Sequence, residues 1–487
     1  MFTLEQIGKF HACFAVLTVA AVSNNDVSDF DLSATEVARA MIAQSEKTMI
    51  LADHSKFSNW GPFSVAPIED IDYLVTDKKP DMMSDKVYNS LAAKLLWNTS
   101  SLSQKPQCCF EVFRKHCRFG ISRQQCRKEL ERLPVSPKND CSNPLPEHYV
   151  TRHYKSGPLN ALTDVAGVKV GHVTIKEGDA TRTGVTAIVP HSDNIFQNRI
   201  PAGFSAFNGY GKFAGSVQVE ELGELETPIL LTNTLATGRA IEALIYYTLH
   251  EKGNEQVTSI NAVVGETNDS RLNNIRALRP SFDEMLEALK IARPGRFEEG
   301  AVGAGTGTVA FGLKGGIGTA SRLVKMGNKT YTIGILVQSN FGGHLGILEK
   351  SDINYPVPGA DKDGSIIMIV ATDAPLDSRQ LKRLANRTFG GLAKSGAALS
   401  NGSGDFALAF STAKELRHKE EESHMVDVPH IDDRALSPMF EAVIEATEES
   451  ILRSLWMADD MSGINAATMK PSHFTSLATL INSAATD

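Results

Sequence analysis

Residues 364–372, GSIIMIVAT, place the strongest constraint on the chain. Behind Gly364 and Ser365 stand five apolar residues in a row, then Ala371, Thr372 and the acidic turn TDAP. An unbroken apolar run of this length is the text of a strand buried on both faces, whereas a half-exposed strand alternates. A chain that contains it must build layers on either side of a sheet. Ser365 stands at the mouth of that strand and has three readings. It is the first, solvent-facing residue, or a nucleophile held at a strand end, or a new chain terminus made by breaking the Gly364–Ser365 bond.

The text after about residue 147 supplies such layers. GVTAIVP, TPILLTNT, AVVGETNDS, KGGIGTASRLV, KTYTIGILVQSN and DFALAFST read as strands, two of them joined as neighbours across KMGNK. ATGRAIEALIYYTLHEK, LDSRQLKRLANRTFGGLAKSG and ALSPMFEAVIEATEESILRSLWMAD read as amphipathic helices. Strands and helices in these blocks predict an α/β fold in which helices cover both faces of two stacked sheets, an αββα sandwich.

The first third differs in character. Residues 27–85 alternate strand, helix and strand, with SATEVARAMIAQ expected to open on a Ser33/Glu36 capping box. Residues 86–146 are polar, basic and Pro-rich and read as a solvated helix or tether. All six cysteines (Cys13, Cys108, Cys109, Cys117, Cys126 and Cys141) fall before the boundary, with no C-x-x-C pair. They read as free thiols in a reducing cytoplasm. The resulting division is 1–90, an N-terminal α/β piece; 91–146, a linker; and 147–487, the main domain. A net charge of −8 excludes the basic face of a nucleic-acid binder. No apolar run reaches the ~18 residues of a membrane span. FHACFAVLTVAAV has a signal-like apolar core, but its leader carries Glu5 and a single lysine.

Three polar clusters interrupt the apolar runs, each at a strand end: GETNDSRLNN with Glu266, Asn268 and Asp269; VQSNFGG with Asn340; and NGSGDF with Ser403 and Asp405. Polar groups converging on strand ends around a serine are the pattern of a catalytic cleft, although each alone also fits a turn. Familiar nucleophile systems do not fit. There is no G-x-S-x-G elbow, none of the three clusters contains a histidine, and neither a P-loop nor H-E-x-x-H occurs. GAVGAGTGT lacks dinucleotide-binding spacing. No cofactor or metal is expected.

A serine without histidine needs another base. If the Gly364–Ser365 bond is cut, Ser365 gains an α-amine with an ordinary pKa of about 7.7–8.0, able to take its own hydroxyl proton. Glycine at 364 suits the strained backbone that such self-attack requires.

The ordered motifs NALTDVAGVKVGH, TPILLTNT, KGGIGTASR, ILVQSNFG, GSIIMIVATDAPL, NGSGDFALAFST and LSPMFEAVIEATEESIL closely resemble the L-aminopeptidase/D-esterase family, which includes β-peptidyl aminopeptidases. The resemblance covers 147–487. It implies a self-cleaving serine hydrolase acting on small peptides, amides or esters, with Ntn-hydrolase-like architecture but different connectivity, and a homo-oligomer of αβ units. Carried over, Ser365 is the nucleophile, Asn340 the oxyanion donor, and Ser403 and Asp405 the pair that orients it. Glu266 holds the substrate amine, Asn268 stands where the family has a tyrosine, and Lys314 lies near the site. No nucleic-acid or membrane partner is implied. Residues 5–85, through DFDLSATEVARAMIAQSEKTMILADHSKFSNWGPFSVAPIEDIDYLVTDKKPD, resemble the sensing domain of DeoR-type sugar regulators, without the DNA-reading helices. Asp53, His54 and Lys56 would lie near a sugar-phosphate pocket there, although a structural role suits them as well. The rival reading is a ligand-sensing or structural protein with an inactive hydrolase domain.

Overall fold

The computed structural model describes residues 12, 15–23, 25–52, 56–57, 61–76, 95–97, 145–150, 152–349, 363–419, 429 and 431–484. The six cysteines, Asp53, His54 and most of the linker lie outside the described residues. The chain divides into two compact units, Met1–Ser136 and Pro137–Asp487.

In the first unit, strands Ala15–Thr18, Thr48–Leu51, Tyr73–Thr76 and Leu95–Trp97 form a parallel sheet in that order. Helix Leu32–Ala43 connects the first two. Its cap is Asp31, whose carboxylate accepts from the backbone N–H groups of Ser33 and Ala34, not the expected Ser33/Glu36 box. The strand Leu95–Trp97 falls inside the stretch expected to be linker; three apolar residues are too few to show a period.

Among the described residues, the second unit is built mainly from two large sheets and four principal helices. Its main strands are β1 (Lys169–Glu177), β2 (Thr181–Val189), β3 (Asn198–Gly209), β4 (Ile229–Asn233), β5 (Val263–Thr267), β6 (Gly316–Met326), β7 (Lys329–Asn340), β8 (Ser365–Thr372) and β9 (Gly404–Ser411). The helices are α1 (Thr237–Leu249), α2 (Phe282–Lys290), α3 (Ser378–Lys394) and α4 (Ser437–Trp456). One sheet runs β3-β9-β8-β7-β6, and the other β5-β4-β2-β1. Most neighbours are antiparallel. The exceptions, β8 with β9 and β4 with β5, are each joined through a helix, as a parallel pair requires.

Burial of β8 shows why its run carries no alternation. Ile366, Met368 and Val370 pack with Leu381, Leu384, Val443 and Leu452 of α3 and α4. The intervening Ile367 and Ile369 pack against Leu231 and Val263 of the second sheet. That sheet's other face, with Val185, Leu230 and Val264, is covered by α1 and α2 through Ala240, Leu244, Met285 and Leu289. The order is helix, sheet, sheet, helix, the sandwich expected. Among the described residues, no helix is long and apolar enough to cross a membrane.

A buried charge cluster ties β6 to α4. Arg322, fully buried, donates to Glu445 and, at 2.7 Å, to Glu449, while Arg152 adds a bond to Glu449 at 3.1 Å. Burial alone would raise the Glu449 pKa, but the Arg152 hydrogen bond and the Arg322 charge outweigh it and hold the group at about 2. Residues just after the boundary are thus part of this unit: Leu145 is in its core and Arg152 in its charge cluster.

Arg322→Met should therefore cost about 3–5 kcal/mol in urea unfolding, because it removes the buried cation shared by two buried carboxylates. Glu449 is depressed in the folded state, so its contribution is present above the ordinary glutamate pKa and lost as pH falls towards about 2. Glu449→Gln should remove that acid-side slope. A chain starting at Pro137 is expected to melt cooperatively, whereas one starting at Lys155, lacking Leu145 and Arg152, should melt lower.

Candidate active site

Strand pairing brings the three clusters together. Asn340, the last residue of β7, pairs with Ser365, the first of β8, and Ser365 pairs with Gly404, the first of β9. Gly404 pairs in turn with Gly209 at the end of β3. One rung across four strands therefore carries Asn340 and Ser365, with Ser403 and Asp405 flanking Gly404. Ser365 is only 8% exposed.

Each expected group has defined partners. Ser403 Oγ donates to Asp405 Oδ1 at 2.6 Å, and Asn208 Nδ2 donates to Asp405 Oδ2 at 2.8 Å. Burial raises the Asp405 pKa above the usual aspartate value, opposed by these two hydrogen bonds. Asn340 Oδ1 accepts from the Val309 N–H at 3.0 Å, which fixes the amide so that Nδ2 is the donor end; Nδ2 reaches the Asn268 carbonyl at 3.0 Å. The Asn268 side chain itself is exposed and accepts from the Ser270 N–H at 3.0 Å, so it shapes its own turn.

Glu266 comes from the other sheet and is 2% exposed. Its Oε1 accepts from the Lys212 N–H at 2.9 Å, Thr234 Oγ1 donates to Oε2, and Lys212 Nζ lies 3.6 Å from Oε1. Gly211 links it to the rung. A Cβ built there would press on Phe406 Cε2 at 3.0 Å and touch Glu266 Oε1 at 3.4 Å and Gly404 Cα at 3.6 Å in ordinary contact, so the backbone at 211 runs close to both the carboxylate and β9.

Gly364 is required by close approach rather than by a positive φ. An added Cβ would overlap the Asn340 carbonyl. The Gly364 carbonyl accepts from the Gly404 N–H at 2.9 Å.

Lys314 is placed differently. Fully buried, its Nζ donates to the carbonyls of Gly305, Thr308 and Gly315 at 3.0, 2.8 and 2.6 Å. Burial pulls its pKa well below the ordinary lysine value. Its connection to the site runs through the loop it pins, whose Val309 N–H orients Asn340. The glycine-rich GAVGAGTGT is part of that packed loop, and the Ala304 carbonyl accepts from Gln338. Asp269 is buried, accepts from Asn273 Nδ2 at 2.9 Å and is pushed up by burial to about 6. Among the described residues, no group of three or more His, Cys, Asp or Glu is arranged to hold a metal.

Sequence reasoning missed Asn208, Thr234 and Lys212. Two follow the rule that found the other clusters, since Asn208 lies in FNGYGK at the end of β3 and Thr234 follows TN at the end of β4.

Three comparisons with known proteins bear on this geometry. The profile of peptidase family S58 matches residues 160–469, and that of the DeoR C terminal sensor domain matches residues 1–78. A β-peptidyl aminopeptidase, BapA of Sphingosinicella microcystinivorans, is 37% identical over 346 residues, covering 65% of this chain and 86% of that protein. The PH0078 protein of Pyrococcus horikoshii superimposes with a TM-score of 0.61 at 44% identity, covering 67% of this chain and 94% of that one. The L-aminopeptidase D-Ala-esterase/amidase of Ochrobactrum anthropi, described as a prototype of the serine aminopeptidases and a variant Ntn-hydrolase fold, gives 0.62 at 32% identity, covering 69% and 97%. The sandwich is the fold of the serine aminopeptidases of Ntn-hydrolase architecture. The chain belongs to peptidase family S58, and its N-terminal piece is similar to the DeoR C terminal sensor domain.

Asn208→Ala removes a hydrogen bond that lowers the Asp405 pKa. Any reaction that needs Asp405 ionised should then have its acidic limb moved to higher pH, a shift read from a pH–rate profile.

Proposed function

We propose that this peptidase cuts its own Gly364–Ser365 bond and then uses Ser365 as an N-terminal nucleophile to remove N-terminal residues from small peptides, amides or esters. The carrying observation is the rung: Ser365 opens β8 between Asn340 and Gly404, with the Ser403–Asp405 pair alongside.

In the first reaction, Ser365 Oγ attacks the Gly364 carbonyl carbon. The C–N bond breaks, and the hydroxyl proton ends on the nitrogen, which becomes the Ser365 α-amine. Water then opens the ester, leaving the Gly364 carboxylate and restoring the hydroxyl. Before cleavage that nitrogen is an amide and cannot act as a base. Ser403 and Asp405 then relay the proton, Asp405 being better suited by its raised pKa.

In the second reaction the free amine takes the hydroxyl proton, Oγ attacks the substrate carbonyl, and Asn340 Nδ2 donates to the oxyanion. Glu266 pairs with the substrate's ammonium, which selects a free N terminus. The names of the relatives support both amide and ester substrates, β-linked peptides among them. Assembly of the two-chain product into a homo-oligomer and a cytoplasmic location complete the reading. The exposed Phe207, Tyr210, Val217 and Leu222 offer apolar surface for the former. Intact Ser365, Asn340, Ser403 and Asp405 weigh against an inactive, purely sensing protein.

Purified protein should run as two chains, the smaller beginning Ser-Ile-Ile-Met by N-terminal sequencing. Ser365→Ala should remain one chain without amidase activity; cleavage of that variant at the same bond would remove Ser365 from the mechanism. Asn340→Ala should lower kcat by about 10²–10³. Glu266→Gln should raise KM for substrates with a free amine and leave self-cleavage unchanged, because no substrate amine takes part there. The acidic limb for hydrolysis should lie near the amine's pKa, and that for self-cleavage nearer the carboxylate range.

A further inference from the structure

The two residues before Ser365, although more exposed than the serine, have defined partners of their own. Asp363 Oδ1 accepts from Ser400 Oγ at 2.8 Å and from the Gly402 N–H at 3.2 Å. Its backbone carbonyl accepts from Arg271 Nη2 at 3.3 Å. Gly402 has no side chain where one would overlap the Asp363 carboxylate, so the turn between α3 and β9 forms a socket for that group. The next residue, Gly364, lies against the end of β7, with its carbonyl on the Gly404 N–H. The scissile peptide is thus gripped from two sides. The turn that supplies Ser403 and Asp405 also supplies the socket.

We infer that Asp363 is a positioning residue for self-cleavage alone, an anchor that sets the Gly364 carbonyl over Ser365 Oγ and aligns it with the Gly404 N–H. The inference rests on the self-processing reading above.

The chemistry is unchanged by this assignment. The Gly404 N–H, already on the carbonyl oxygen, remains on it as the oxygen gains charge, and Asp363 neither gives nor takes a proton. Its effect is geometric, since self-attack requires the carbonyl carbon to stay within reach of Oγ. The anchor acts only before the bond breaks. After hydrolysis Gly364 carries a carboxylate one residue from that of Asp363, and the repulsion between them loosens the tail from the socket. External substrates are held by Glu266 and Asn340 and make no use of Asp363.

The test compares self-cleavage with hydrolysis. Full-length precursors of wild type, Asp363→Ala, Asp363→Asn and Gly402→Ala are followed on denaturing gels from synthesis onward. Hydrolysis of an amino-acid p-nitroanilide is then measured per cleaved chain. Asp363→Ala and Gly402→Ala should self-cleave about 10- to 100-fold more slowly, with kcat/KM per cleaved chain within twofold of wild type and an unchanged melting temperature. Asp363→Asn, whose amide oxygen can accept the same two bonds, should self-cleave near the wild-type rate. If wild type cleaves but Asp363→Ala does so equally fast, the anchor is refuted while self-processing stands. Equal losses in self-cleavage and hydrolysis would also refute it, by making Asp363 part of the general architecture. A wild type that never cleaves at Gly364–Ser365 removes the underlying reading instead.

Discussion

Because β8 runs antiparallel to β7 and parallel to β9, the last residue of the first and the first residues of the other two meet on one rung. That single pairing decides where the groups of the candidate site lie. It sets Asn340, Ser365 and Gly404 side by side and leaves Ser403 and Asp405 one step from the serine. A shift of one residue in register would send each side chain of β8 to the opposite face, exchanging Ile367 and Ile369 for Ile366 and Met368 in the layer between the sheets. The register is pinned by that burial. Both faces of β8 are apolar, but they face different neighbours, helices on one side and a sheet on the other.

Close backbone approach is the second requirement, and it explains the glycines around the site. Gly211 leaves room for the Phe406 ring beside Glu266, Gly364 lies on the end of β7, and Gly402 leaves space for the Asp363 carboxylate. Lys314 serves the same end from within. It satisfies three carbonyls of the loop that presents the Val309 N–H, and this N–H fixes the orientation of the Asn340 amide. A lysine bound only to loop carbonyls thus bears, through the Val309 N–H, on which end of the Asn340 amide is the donor.

Much of this was legible in the text because it depends on local pattern. Apolar runs located β7, β8 and β9, helical periodicity located α3 and α4, and polar clusters at strand ends marked Glu266, Asn340, Ser403 and Asp405. What escaped depends on contacts distant in sequence. Asn208 meets Asp405 only because β3 pairs with β9, and a register shift between Ala206 and Asn208 adjusts the approach. The role of Lys314 depends on the fold of its loop. Asp31 was preferred to Ser33 as a cap because its carboxylate reaches two N–H groups at once. Asn268 matched a family motif by position, but its side chain is turned to its own loop and only its carbonyl reaches Asn340.

The arrangement also bears on how one serine would serve two reactions. In the precursor the nitrogen of Ser365 is an amide, so proton transfer falls to groups already in place, and the buried Asp405 with its raised pKa is the stronger base for it. Under the proposed self-cleavage, the freed amine would take over as a base suited to neutral pH, and Asp405 would be left to hold Ser403 and Asn208 in position. Burial of an aspartate costs stability unless its oxygens are satisfied, and here both are, one by each partner. In the proposed scheme one satisfied carboxylate, raised by burial, would thus serve as base in the first reaction and as an ordering group in the second.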